Sequence, residues 1–155
     1  MTINRLRRAA IALAVAAVLA AGCEGGPNLA PVEGTVFLDG SPVQAGETVT
    51  GYVVLHADPA RGNTSMEDAK ATIGPDGKFA IYTRDKPGAG PGWYFVTVEL
   101  ARTNPNNPYD FKTLIDEKYL DKAKSGLAFE VVPKPEPGRY DIRLDGLSAA
   151  KRKGK

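Results

Sequence analysis

The chain has 155 residues, 43% hydrophobic and 25% charged, which is ordinary for one folded domain; its 17 Gly and 12 Pro follow no collagen period and announce many turns. The formal net charge of +2 overstates its basic character: with the three arginines of residues 1–22 set aside, 17 basic residues face 18 acidic ones, a balance without an electrostatic footprint for nucleic acid. A single cysteine excludes an internal disulfide, so in an exported chain that cysteine needs another role.

Arg5, Arg7 and Arg8 form a basic start, followed by the uncharged apolar run Ala9 to Ala21. That run is too short for a spanning helix, which takes about 20 residues, so residues 1–22 read as a signal peptide. Leu19-Ala20-Ala21-Gly22-Cys23 resembles the lipobox of bacterial lipoproteins. The resemblance implies a diacylglyceryl group on the Cys23 sulfur, cleavage after the small residue Gly22, and a membrane partner reached through the lipid. Two or more acyl chains anchor a protein stably. The match departs at Ala20, where leucine is commonest, with Leu19 one place early. An ordinary signal peptide, cut at an Ala-x-Ala-like site with Cys23 incidental, is the competing reading. Residues 23–31, with Gly25, Gly26, Pro27 and Pro31, read as a flexible tether.

Residues 32–147 read as an all-β domain, because short β-branched and aromatic runs alternate with Gly/Pro/Asp turns. Strands are expected at about 32–38, 48–57, 68–73, 78–83, 93–101, 127–132 and 139–144. Val32, Gly34, Val36 and Leu38 share one face; so do Phe79 and Ile81, then Tyr94, Val96, Val98 and Leu100, and finally Tyr140, Ile142 and Leu144. Asp39-Gly40 and Pro75-Asp76-Gly77 are hairpin signals. The glycines of Pro87 to Gly92 superficially suggest a phosphate cradle, but no Lys-Ser/Thr follows and the next element is a strand. Residues 102–111 read as an Asn/Pro-rich loop, and 112–124 as one short helix before the last two strands, with Leu114, Ile115, Tyr119 and Leu120 near helical spacing. Residues 148–155 form a basic tail, expected to be disordered.

Several segments in order resemble the transthyretin-like, carboxypeptidase-regulatory-like sandwich: Val32 to Val36 with Leu38 to Val43, Gly74 to Phe79, Pro91 to Tyr94, Ser125 to Val131, and Tyr140 to Leu144. The resemblance implies a seven-stranded Greek-key sandwich. It implies no activity.

Catalytic candidates are few. His56 is the single histidine, which removes most His-based metal sites and Ser-His-Asp triads and leaves it to be read as structural or solvent-facing. Asp116, Glu117 and Asp121 are interleaved with Lys118 and Lys122, as on a solvated face. Asp39 and Asp76 are explained by their turns, and Asn63-Thr64-Ser65 matches a glycosylation sequon but reads as loop. One feature points to binding. By alternation Trp93 and Phe95 face outward, as does Tyr82. The short loop at 84–92 makes their strands expected hairpin partners and would gather the three aromatics into one patch. The expectation is a lipid-anchored, exported envelope domain on the periplasmic or cell-surface side, acting as a non-enzymatic binding or scaffolding module without cofactor or metal. Envelope proteins or glycans are its candidate partners. The alternatives are a carbohydrate-binding module through Tyr82, Trp93 and Phe95, or an envelope hydrolase, which needs facing carboxylates the sequence does not display.

Overall fold

The computed structural model describes residues 28–147; Gly22, Cys23, the signal peptide, most of the tether and the basic tail lie outside the described residues. The chain is all-β, with strands β1 (Glu33–Leu38), β2 (Ser41–Pro42), β3 (Val49–Ala57), β4 (Ala69–Thr72), β5 (Lys78–Ala80), β6 (Tyr82–Thr83), β7 (Lys86–Pro87), β8 (Gly92–Asn104), β9 (Asn107–Thr113), β10 (Ala128–Val131) and β11 (Ile142–Leu144). Two sheets form. In the smaller, β1 is flanked by β11, in parallel, and on its other side by β2 and β5. In the larger the order is β10-β8-β3-β4-β6-β7, with β9 beside the far end of β8.

The expected alternation builds the core. Val36, Phe79, Ile142 and Leu144 of the small sheet share one buried cluster with Val53, Leu55, Tyr94, Val96, Val98 and Leu100 of the large one. Apolar faces of two sheets exclude water from each other, which is the principal driving force for a sandwich. Asp39 and Gly40 both take positive φ, 50° and 87°, as a two-residue β1–β2 turn requires. Asp39 also accepts the Gly146 N–H at 2.9 Å, tying that turn to the chain beyond β11.

Three expectations are corrected. First, the segment 78–83 is not one strand. Ile81 donates its N–H to Val32 O at 2.9 Å and accepts from Gly88 at 2.7 Å, so β5 joins the small sheet and β6 the large one. Alternation was preserved across the switch, and hence the sequence did not reveal it. Second, 102–111 is not a loop: β8 runs on to Asn104 and returns as β9. The Asn104 and Asn107 side chains accept the N–H of Asn106 and Tyr109, so the polar tip is locally satisfied. Third, the helix at 112–124 is only a 3₁₀ turn, Glu117–Leu120, capped by Asp116, whose carboxylate accepts the Lys118 N–H at 2.9 Å. Ile115 and Tyr119 are buried as their apolar character requires, but Leu120 is exposed. Burying only two apolar side chains over so short a span gives a longer helix too little apolar area to hold it.

Candidate functional site

Along β8 the even residues Tyr94, Val96, Val98 and Leu100 point into the core, so Trp93, Phe95, Thr97 and Glu99 lie on the outer face of the large sheet. Trp93 and Phe95 thus face outward as expected, but they are half-buried. A short 3₁₀ turn, Pro59–Arg61, covers them. Its cap, Asp58, is only 1% exposed, accepts the Ala60 N–H at 3.1 Å and pairs with Arg61 Nε at 2.5 Å. Held this way, the Arg61 guanidinium sits 4.2 Å from the Trp93 ring centroid and 5.8 Å from that of Phe95, a cation–π contact with both rings. Asn63 completes the clasp: its amide donates to Trp93 O at 2.9 Å and its carbonyl accepts the Ser65 N–H at 3.0 Å. The sequon asparagine is therefore a buried strut.

Tyr82 does not join them. β6 and β8 are separated by β3 and β4, so three strand spacings, roughly 14 Å, lie between Tyr82 and the β8 row. The expected hairpin pairing of those strands is overturned, and with it the three-aromatic patch. Tyr82 instead lines a groove with Tyr52, Lys70, Thr72 and Arg84, of about 520 Å³. Tyr52 pairs with Thr72 across β3–β4 and Lys70 with Tyr82 across β4–β6, so the two tyrosines flank β4 on one face of the sheet. Each tyrosine is 44% exposed. Lys70 makes no ion pair among the described residues, whereas Arg84 pairs with Glu67. Arg84 holds a left-handed φ of 56° in the tight β6–β7 turn, where glycine is the usual occupant. The sequence reading missed Tyr52, although its place between the buried Val53 and Gly51 marks it as outward-facing.

The same face holds an arrangement the sequence concealed. His56 Nδ1 lies 2.9 Å from Asp68 Oδ2, and His56 Nε2 lies 3.0 Å from Thr97 Oγ1. Carboxylate, imidazole and hydroxyl thus line up in the order used for nucleophile activation. The hydroxyl is poorly placed for attack, since Thr97 is 8% exposed and sits mid-ladder opposite Val54. The neighbouring Val96 N–H is already given to Leu127 O at 3.0 Å, so it offers no free donor for an oxyanion. The chain of bonds ties β3, β8 and the approach to β4 together.

Asp141 reaches across the small sheet, accepting the Thr35 N–H at 2.9 Å, while two exposed acids act locally. Lys78 bonds Asp76 through its ammonium and its backbone N–H, holding that carboxyl below its ordinary 3.8. Asp121 is lowered by the Ala123 N–H and then by Lys124, at 3.2 Å. Among the described residues no group of three or more His, Cys, Asp or Glu side chains is placed to hold a metal ion, and no helix is long and apolar enough to cross a membrane. Compared with known protein families, with curated proteins and with solved structures, the chain matches none of them.

Proposed function

We propose that the chain is a lipid-anchored envelope protein, tethered through Cys23 after cleavage behind Gly22, whose sandwich is a non-enzymatic binding module of transthyretin-like Greek-key type. Its contact surface is the outer face of the large sheet. The observation that carries the reading is the groove between Tyr52 and Tyr82, lined also by Arg84 and by Lys70, which makes no ion pair among the described residues. Paired exposed tyrosines offer flat apolar faces for sugar rings, and a cation beside them takes a polar or charged substituent. The clasped Trp93 and Phe95 are a support for this face; Arg61 occupies the side on which a ligand would stack. A non-catalytic role is supported by the burial of Thr97. The all-β architecture of two sheets sharing one buried core supports the fold assignment.

Two measurements test the proposal. Mass spectrometry of the mature N-terminus is expected to find a diacylglyceryl-modified Cys23; a free thiol there removes the anchor. On a glycan array, Tyr52→Ala and Tyr82→Ala should each weaken binding at least tenfold while Trp93→Phe binds like the parent. Binding that depends on Trp93 and ignores both tyrosines would move the surface away from the groove.

A further inference from the structure

The hairpin of β8 and β9 carries an electrostatic anomaly. Arg102 and Lys112 stand directly opposite each other on the two strands. Like charges in that position repel, and an acid at one of the two places would attract. Neither cation makes an ion pair among the described residues. Asp110 stands in the same groove, but its carboxylate accepts from Asn104 Nδ2 at 3.0 Å and pairs with neither cation. Both cations line a cleft of about 540 Å³ with Thr48 and Asn104. Its position follows from the fold. The even residues of β8 are core up to Leu100, and the following ones, Arg102 and Asn104, are exposed, so the cleft opens on the inner face where that packing ends.

We infer that Arg102 and Lys112 form a binding site for an oxyanion, a phosphate or carboxylate group that bridges the two side chains. Guanidinium and ammonium facing one space supply several N–H donors, and a bound anion converts their repulsion into two attractions. Thr48 also lines the cleft. This site lies on the opposite face of the large sheet from Tyr52 and Tyr82 and stands or falls independently of sugar binding there.

The test uses the full-length chain in mild detergent, with inorganic phosphate and acetate titrated separately against sodium chloride at matched ionic strength. The thermal midpoint is expected to climb with the logarithm of phosphate or acetate concentration above the chloride control, as binding to the native state requires. Whichever anion gives the larger rise identifies the ligand group. Arg102→Gln and Lys112→Gln should each abolish the rise. Lys112→Glu, which places an acid opposite Arg102, should raise the midpoint of the unliganded chain and also abolish the response. Amide NMR shifts of Thr103 and Lys112 on phosphate addition give a readout that does not depend on unfolding. A midpoint and amide shifts indifferent to both anions, a response retained in both glutamine variants, or a Lys112→Glu chain less stable than the parent would each overturn the assignment.

Discussion

Replacing Gly34 by alanine tests, at one atom, how closely β1 packs against the chain entering β11 in the small sheet. A Cβ at this position meets the Tyr140 carbonyl oxygen at 2.6 Å, its carbon at 2.8 Å and Phe79 Cε1 at 3.1 Å, whereas ordinary contact begins at 3.4 Å. The chain must therefore open by about 0.8 Å against backbone, which cannot rotate aside as a side chain can. Tyr140 is pinned from several directions. Its hydroxyl accepts the Val132 N–H at 3.1 Å, its ring packs 5.4 Å from that of Phe129, and two residues on Ile142 is paired with Val36. Overpacking of this kind costs about 1–3 kcal/mol. Restricting the unfolded chain returns about 0.4–1 kcal/mol. The net loss is expected to be about 1–2 kcal/mol, which lowers the urea midpoint by roughly 0.5–1.5 M at a typical slope. Gly46→Ala is the control: nothing lies within 4 Å of its Cβ, so the same change there should be neutral or stabilise by up to about 1 kcal/mol. Equilibrium unfolding of both variants in urea decides the matter. A Gly34→Ala chain as stable as the parent, or a Gly46→Ala chain that loses as much, refutes the close approach.

Arg61→Ala should uncover Trp93, the single tryptophan, shifting its emission to the red and raising its quenching by acrylamide; unchanged fluorescence would mean that the guanidinium does not cover the ring. Thr97→Val removes the hydroxyl that meets His56 Nε2 and should cost about 0.5–1.5 kcal/mol by thermal unfolding; no loss would show that the bond contributes nothing to the fold. Asp76 should titrate below 3.8 in an NMR pH series, and Lys78→Ala should move it back up. A carboxyl lowered in the folded state favours folding above its unfolded pKa, and that contribution disappears as pH falls through the folded one. An Asp76 midpoint unmoved by Lys78→Ala would deny the pairing.

The features legible without the structure are local in origin. Successive side chains on a strand point to opposite faces, so alternation alone assigned Tyr94, Val96, Val98 and Leu100 to the core and Trp93 and Phe95 to the outside. The same parity was available for Tyr52. Turn chemistry is equally local: Asp39-Gly40 bends where it does because of backbone angles those two residues tolerate. The misread stretches are those where local preference was weak or divided. Residues 102–111 combine turn formers with the strand-forming Tyr109 and Phe111, and 112–124 has helical spacing but too few buried apolar groups to hold a helix.

Strand neighbours are another matter, because pairing joins residues far apart along the chain and alternation is the same whichever strand lies alongside. Only the tertiary structure split 78–83 between two sheets at Ile81, set β3 and β4 between Tyr82 and Trp93, and so put Tyr52 rather than Trp93 beside Tyr82. It also aligned Asp68, His56 and Thr97, and set Arg102 against Lys112. The sequence determined which strand side chains would point away from the core; long-range pairing decided which of them would meet and which would be covered.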